Sequence, residues 1–211
     1  MRSQGVKPGM EAAPALDLDA QLMLQVRDGD TESFRQLLEK HRAPVVRFVY
    51  RMVQDQGISE ELGQEVFLRI YRSRAGYQAE AKFTTWMFRI ASHLALNYLR
   101  DGKNEKARRV SLDAREEGKP AREFAGTEPT VEEQMVRQTR VDEIRHAIAG
   151  LPDKQRAAVL MHKYEGLEYA QIAGALECSE SAVKSLLFRA YESLRGSLRH
   201  LAPPTNLRGT V

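Results

Sequence analysis

Apolar residues recur at intervals of three and four along nearly the whole chain, and this periodicity constrains the fold more than any other feature of the sequence. Such spacing places one face of a helix against a core. The alternation typical of half-buried strands is almost absent. The sequence therefore predicts an all-α protein, with helices over about residues 17–27, 31–57, 59–73, 84–100, 130–149, 153–166, 169–176 and 180–199.

Several positions predict where these helices begin, bend and end. Leu18 begins the inward-facing stripe of the first helix, and Asp30 is placed to cap the second. Pro44 lies within the second helix and predicts a kink or a short break, because proline lacks the N–H that a helix interior uses. Gly57 and Gly102 are expected to end the second and fourth helices, since glycine is common just past a helix C-terminus.

The periodicity disappears between Lys103 and Pro129, where glycines and prolines replace large apolar residues, as is typical of a linker. Residues 111–133 hold seven acidic and three basic residues, a net charge of −4. A capping-box pattern, Thr130-Val131-Glu132-Glu133, opens the chain that follows. We therefore expect two small helical domains, at 17–102 and 130–200, joined by a flexible acidic linker at 103–129 and flanked by tails at 1–16 and 201–211.

Composition excludes several classes of protein. No apolar run approaches the ~18 residues needed to cross a bilayer, and the N-terminus lacks the apolar stretch of a signal peptide. The single cysteine, Cys178, excludes an internal disulfide and is interpreted as a small packing residue. The five histidines are scattered, without a zinc-ligand pattern, and no glycine-rich phosphate loop is present. We expect a cytoplasmic protein that is not an enzyme and needs no metal or cofactor.

One face of the predicted fourth helix combines an aromatic ring, two cations and two hydrogen-bonding groups. Aromatic rings stack on unpaired bases and arginines neutralise phosphates, so this face is a candidate nucleic-acid surface. Residues 82–109 hold seven basic and two acidic residues, a net charge of +5 that the whole-chain value of +3 hides. An ordinary solvated face with a packed tryptophan has the same pattern. The candidate residues are Trp86, Arg89, His93, Asn97 and Arg100.

The last two predicted helices have the layout of a helix-turn-helix. A short helix over 169–176 is followed by the turn Glu177-Cys178-Ser179, in which Ser179 is placed to cap a longer basic helix. In that motif the second helix enters the major groove, where cations, hydroxyls and apolar groups contact phosphates and base edges. A plain helical hairpin is the alternative. The outward-facing candidates are Ser181, Lys184, Ser185, Phe188 and Arg189.

Stretches in both predicted domains resemble the sigma factors of bacterial RNA polymerase, of the extracytoplasmic-function type. Their order along the chain matches the family between about residues 17 and 198. In the first domain they are Val26-Arg27-Asp28-Gly29-Asp30, Gln64-Glu65-Val66-Phe67-Leu68-Arg69-Ile70-Tyr71 and Phe83-Thr84-Thr85-Trp86-Met87-Phe88-Arg89-Ile90-Ala91. In the second they are Leu151-Pro152-Asp153-Lys154-Gln155-Arg156, Tyr164-Glu165-Gly166-Leu167, Gln171-Ile172-Ala173 and Ser181-Ala182-Val183-Lys184-Ser185.

The resemblance implies a role for each group of residues. Among the fourth-helix candidates, Trp86, His93 and Asn97, with the loop at 76–82, match positions that melt and read the −10 promoter element. Among the helix-turn-helix candidates, the positions that read the −35 element are matched by Lys184, Ser185, Phe188 and Arg189. The acidic linker matches a segment threaded through polymerase channels, although a plain solvated tether fits its composition equally well. Positions that dock on the β′ clamp helices of core polymerase are matched by Glu61, Gln64, Glu65 and Phe67.

Further partners that the resemblance implies are promoter DNA, the β flap of the polymerase and an anti-sigma factor. Three positions depart from the family pattern. His93 stands where asparagine is usual, which puts the −10 preference in doubt. Ser181 and Leu186 stand where glycine and arginine are usual, and the loss of that arginine removes an expected phosphate contact.

The sequence thus favours a promoter-specificity subunit of RNA polymerase. A free-standing helix-turn-helix regulator is the first alternative, and it predicts tight operator binding without polymerase. An enzyme with a helical active site is the second, and it lacks a catalytic constellation. Transcription with purified core polymerase distinguishes all three.

Overall fold

The computed structural model describes residues 17–109 and 131–201, with side chains described except at 103–137. Within these ranges the chain forms α-helices and two short 3-10 turns, without a strand, so the all-α prediction is confirmed. The tails at 1–16 and 202–211, most of the linker and the Thr130 cap lie outside the described residues. The helices are α1 Leu18–Arg27, α2 Thr31–Val53, α3 Gln56–Arg72, α4 Phe83–Arg109, α5 Val131–Ala149, α6 Asp153–Lys163, α7 Tyr169–Leu176 and α8 Glu180–Ser197.

Aspartates begin the first three helices. The Asp30 carboxylate accepts a hydrogen bond of 3.0 Å from the Glu32 amide, as its sequence position predicts. Asp55 accepts one of 2.8 Å from the Ile58 amide, and this cap starts α3 at Gln56. The prediction that Gly57 ends the second helix was therefore wrong, because Gly57 lies in the first turn of α3.

A short break at Pro44 and a helix end at Gly102 are also absent from the described helices, whereas a kink at Pro44 stays a prediction. α2 runs continuously from Thr31 to Val53 through Pro44, so the predicted short break does not occur. The buried side chains of Val45 and Phe48 on the next turn hold this segment in the core. Gly102 lies inside α4, since an interior glycine costs a helix only about 1 kcal/mol. The helix therefore continues into the stretch that was expected to be linker.

α1 to α4 form an N-terminal module around a core that includes Phe48, Ile70 and Met87. α1 faces this core with Ala20, Met23 and Val26, whereas Leu18 is 65% exposed. The expectation that Leu18 points inward was wrong because Asp19 occupies the inner face. Its carboxylate lies 2.6 Å from Nζ of Lys40 and 2.9 Å from Nε2 of His41.

α2 and α3 approach each other closely at Gly63, which is buried. A Cβ at this position would lie 2.7 Å from Cγ2 of Val46, closer than side chains pack. A larger residue at position 63 would therefore require the Val46 side chain or the helix crossing to shift.

α5 to α8 form a C-terminal module, in which α7 and α8 pack on α6. Its core includes Leu160, Met161, Ile172, Val183 and Leu187. Three residues join α7 to α8, as the helix-turn-helix layout predicts.

The two modules also pack on each other, and their buried residues form one continuous core. α7 lies against α4, and α6 lies against α2. Arg156 of α6 is buried and donates hydrogen bonds to the carbonyl oxygens of Met52, at the end of α2, and Leu151. Among the described residues, no helix is both long enough and apolar enough to cross a membrane.

Candidate nucleic-acid interface

The first candidate surface lies on α8 and comprises Ser181, Lys184, Ser185, Phe188 and Arg189; we call it the α8 surface. The Ser179 hydroxyl accepts a hydrogen bond of 3.2 Å from the Ala182 amide and thereby starts the helix. Val183, Leu187 and Ala190 are buried, which fixes the rotation of α8 about its axis. All five side chains of the α8 surface are exposed as a result.

Phe188 decides how the α8 surface is interpreted, because its side chain is 67% exposed. Arg189 follows it directly, and Lys184 lies one turn earlier, four residues away, where the two face the same side of the helix. Within the described part of the chain, neither cation forms an ion pair. An apolar ring between available cations suits a thymine methyl or sugar flanked by phosphates.

The two serines of the α8 surface are held by local hydrogen bonds. The Ser185 hydroxyl donates to the Ser181 carbonyl oxygen at 3.0 Å. The hydroxyls of Ser181 and Ser179 lie 2.9 Å apart. Each hydroxyl oxygen still has a lone pair for a base-edge donor.

The second candidate surface lies on α4 and comprises Trp86, Arg89, His93, Asn97 and Arg100; we call it the α4 surface. Trp86 is half-buried, with its ring centre 5.0 Å from that of Tyr77 and 6.1 Å from that of Phe83. Trp86 therefore packs on its neighbours and keeps an accessible portion, and its contact with nucleic acid stays a prediction.

Arg89 and His93, at the middle of the α4 surface, are paired with the C-terminal module. Both contact the carboxylate of Glu177, the first residue of the helix-turn-helix turn. The His93 Nε2 lies 3.0 Å from Glu177 Oε2. Asn97 and Arg100, further along α4, are exposed, and Arg100 lies 3.2 Å from the neighbouring Asp101.

The loop before α4 supports Trp86. Its first residues form a 3-10 turn over Arg74–Gly76, and Tyr77 then turns inward until only 5% of it is exposed. Burial raises the pKa of the Tyr77 hydroxyl to about 12, and the carboxylates of Asp17 and Asp19 add to the shift. Tyr77 is therefore neutral at physiological pH and anchors the loop beneath the Trp86 ring.

The candidate polymerase-docking residues lie on α3. Glu61 and Gln64 are exposed, and Glu65 forms an ion pair of 2.7 Å with Arg69. Phe67 is only 4% exposed, so its ring belongs to the core and is removed from the docking surface. Leu68, which is 48% exposed, lies on the same side of α3 as Glu61, Gln64 and Glu65, and we call these four residues the α3 surface.

Two family profiles match this chain. The profile described as Sigma-70 region 2 matches residues 37–105, which include most of the N-terminal module. The profile described as Sigma-70, region 4 matches residues 142–194, which include the helix-turn-helix. The chain belongs to the sigma-70 family. Both matches fall where the sequence motifs predicted them.

Curated relatives match this sigma factor over most of its length. The RNA polymerase sigma-H factor of Pseudomonas aeruginosa is 29% identical over 184 residues, covering 87% of this chain and 95% of the relative. The ECF RNA polymerase sigma-E factor of Escherichia coli K12 is 27% identical over 187 residues, with the same coverage. The assignment to the extracytoplasmic-function group is thereby confirmed.

Two solved structures share the fold of this sigma factor. CnrH, in complex with the cytosolic domain of CnrY, has a TM-score of 0.64 at 17% identity and covers 88% of this chain and 100% of its own. The sigma factor RpoE of Bartonella quintana, in complex with the anti-sigma factor NepR, has a TM-score of 0.64 at 16% identity and covers 80% of this chain and 98% of its own.

Sequence reasoning missed the residues that join the two modules of this sigma factor. It assigned Arg89 and His93 to an outward-facing surface, placed Glu177 only in the turn before α8, and gave no role to Ser92. Ser92 is completely buried, and its hydroxyl donates to the Ala175 carbonyl oxygen of α7 at 3.2 Å. One signal in the sequence could have indicated the second contact. α4 carries apolar or small residues on two sides, and Phe88 and Ser92, which the structure buries, are among them.

Among the described side chains, no group of three histidine, cysteine, aspartate or glutamate residues is arranged to hold a metal ion.

Proposed function

We propose that this sigma factor binds core RNA polymerase and directs it to promoters by reading two DNA elements at once. The α8 surface reads the −35 element in the duplex, and the α4 surface stacks on and reads the opened strand of the −10 element. The observation that carries the proposal is Phe188, exposed between Lys184 and Arg189 on the second helix of a helix-turn-helix.

The two surfaces are chemically suited to different forms of DNA. The α8 surface lies on the exposed side of one helix and presents small hydroxyls beside cations, which fits the major groove. The α4 surface presents an aromatic ring with two arginines, an imidazole and one amide, which fits unpaired bases. Because two modest interactions joined by a tether multiply, neither surface needs high affinity alone.

Core polymerase is the proposed scaffold on which the α4 and α8 surfaces read the two promoter elements. The α3 surface, with Leu68 and its acidic and amide neighbours, docks on the β′ clamp helices, and the C-terminal module contacts the β flap. The polymerase supplies all catalysis, and the chain works with it in the cytoplasm. Control by an anti-sigma factor is part of the proposal, and it is supported by the RpoE relative solved with NepR.

Transcription with purified core polymerase tests the proposal. Promoter DNA is first selected from a random library with the reconstituted holoenzyme. The selected promoters should give discrete transcripts only when this chain is added. A tight complex of chain and DNA without such transcripts would instead support a free-standing regulator.

Arg189→Ala sharpens the test by removing one cation from the α8 surface. It should weaken −35-dependent initiation roughly tenfold, as expected for one good phosphate or base contact, while coprecipitation with core polymerase is unchanged. Arg195→Ala is the matched control, because it removes the same charge from an exposed position on the same helix. An equal loss of core binding in Arg189→Ala would contradict the assignment.

A further inference from the structure

A pocket lies where the two modules meet, between the end of α2 and the helices α5 and α6, and its volume is about 260 Å³. This volume lies between the about 150 Å³ of an apolar cavity that holds benzene and the roughly 300 Å³ at which sites for drug-sized ligands begin. The pocket therefore has room for a small organic molecule. Its apolar lining comes from the C-terminal module and consists of Val141, Ile144, Ile148, Leu160 and Tyr164.

The pocket leaves apolar groups in contact with water. Six large apolar side chains are exposed among the described residues, and two of them, Ile144 at 37% and Tyr164 at 44%, line this pocket. Ile148 and Leu160 of the same lining are almost completely buried. Covering apolar surface is favourable by roughly 25 cal/mol per Å², so a ligand with an apolar body would be stabilised here. Apolar groups that are exposed together in a concave site are typical of a binding site, whereas single exposed ones are ordinary.

Two arginines, one from each module, line the same pocket together with the amide of Gln54. The Arg51 guanidinium of α2 lies 4.2 Å from the centre of the Tyr164 ring. Nη1 of Arg145 on α5 lies 3.1 Å from Oδ1 of Asp142, and this pair is about one third exposed. A guanidinium carries five N–H donors in one plane, so one that stacks on a ring or pairs with one carboxylate can bond a further carboxylate. The polar part of the lining therefore fits a carboxylate ligand, which arginine binds through two parallel hydrogen bonds.

The charges around the pocket favour a ligand with one negative charge. The Arg47 and Arg51 guanidiniums both act on the Glu165 carboxyl, whose pKa is nevertheless raised because burial outweighs them. Asp142 is the carboxylate beside Arg145. These three arginines and two carboxyls sum to 3 − 2 = +1. The balance is repulsive for a cation and is neutralised by a single carboxylate.

We propose that this pocket binds a small monocarboxylate whose apolar body has about eight carbon atoms, a size that the volume of the pocket suits. The carboxylate bonds the guanidiniums of Arg51 and Arg145, and the apolar body covers Ile144 and Tyr164. Because the ligand touches α2 of one module and α5 of the other, it binds the folded chain and stabilises it in proportion to the ligand concentration. The proposal goes beyond promoter recognition and does not depend on it.

Methyl NMR on the full-length chain, with its isoleucine methyl groups labelled with ¹³C, tests the proposal. The sequence has six isoleucines, of which Ile144 and Ile148 line the pocket. Titration with octanoate should shift the signals of these two residues in a saturable way and leave the other four unchanged. No shift up to about 10 mM octanoate would overturn the proposal, because a ligand of this size that fits its site binds more tightly. Equal shifts at all six isoleucines would also overturn it.

Two relatives of octanoate separate the contribution of the charge from that of the apolar body. Octanamide keeps the hydrocarbon chain without the charge, and acetate keeps the carboxylate without the chain. Each should bind at least about tenfold more weakly than octanoate, because a charge-assisted hydrogen bond and several buried methylene groups each contribute that much. Equal affinity for octanamide would overturn the assignment to a carboxylate, and equal affinity for acetate would overturn the role of the apolar lining.

Arg145→Gln removes one of the two cations of the lining and should weaken octanoate binding about five- to tenfold. Arg140→Gln is the matched control, since it removes the same charge from an exposed position on the same helix and should change the affinity by less than about twofold. Octanoate should also raise the midpoint of thermal unfolding of the wild type and of Arg140→Gln more than that of Arg145→Gln. The isoleucine spectrum without ligand checks that both variants are folded. Unchanged affinity in folded Arg145→Gln would overturn the proposed site.

Discussion

The α4 and α8 surfaces have similar residue types, yet the structure treats them differently. On α8, buried residues occupy one side of the helix, and the five proposed contacts on the other side are all exposed, with hydrogen bonds only to nearby residues of the same segment. On α4, the helix is packed on two sides, and the proposed contacts take part in that packing through Trp86, Arg89 and His93. The surface proposed to open DNA is thus integrated with the core, whereas the surface proposed to read intact duplex is a separate face.

The largest expected effect comes from the contact between the two modules. The difference between the α4 and α8 surfaces depends on this contact, because it packs α4 on a second side. Arg156→Ala should lower the free energy of unfolding by about 2–4 kcal/mol, because two carbonyl oxygens would lose their buried donor and a cavity would remain. Urea denaturation measures this. Lys154→Ala, at an exposed position on the same helix, is the control. Wild-type stability in Arg156→Ala would show that the modules do not stabilise each other.

Trp86→Ala tests the claim that the α4 surface is partly core. We expect a loss of roughly 1–3 kcal/mol of stability, since the half-buried ring packs on Tyr77 and Phe83. Open-complex formation, followed by permanganate footprinting below the melting temperature of the variant, should fall more than closed-complex binding. Trp86→Phe keeps a ring and should recover most of the stability. Normal melting of the promoter by Trp86→Ala would contradict the proposed stacking role.

Phe188→Ala is the counterpart on the α8 surface and should change stability by less than about 0.5 kcal/mol, because the ring is mostly in solvent. Binding to the selected −35 duplex should weaken by roughly tenfold through lost apolar contact. Anisotropy and thermal unfolding on the same preparation measure both. A drop in stability as large as that of Trp86→Ala would remove the contrast between the two surfaces.

The smallest expected effect concerns the pH dependence of stability at the contact between the modules, where Glu165 lies near Arg51 and Arg47 of α2. Burial raises the pKa of Glu165, and the opposing charges of Arg51 and Arg47 lower it by less. Between the unfolded value and this raised value the folded chain binds more protons, so stability falls as pH rises through that window. Glu165→Gln should remove this fall and unfold at slightly higher urea than wild type at pH 7. A variant that loses stability at pH 7 would show that the carboxylate is favourably paired.

The sequence predicted the α8 surface well and the α4 surface only in part, for physical reasons. The bounds of α7, the Ser179 cap and the exposed face of α8 follow from local periodicity and capping. The pairing of Arg89 with Glu177 depends on packing between segments far apart in the chain, which periodicity does not encode. Gly57 and Gly102 were misjudged because glycine is tolerated in a helix when no left-handed turn follows it.

The length of α4 has a consequence for promoter geometry. Because the helix continues past Gly102 to Arg109, only the residues between Arg109 and Val131 remain to connect the modules. At about 3.3–3.6 Å per residue, this connecting segment spans at most roughly 70–80 Å. At ~3.4 Å per base pair, that distance corresponds to a little over 20 base pairs of duplex. Under the proposed function, the length of this connecting segment sets an upper limit on the spacing between the two promoter elements, and transcription from promoters with longer spacers should fail.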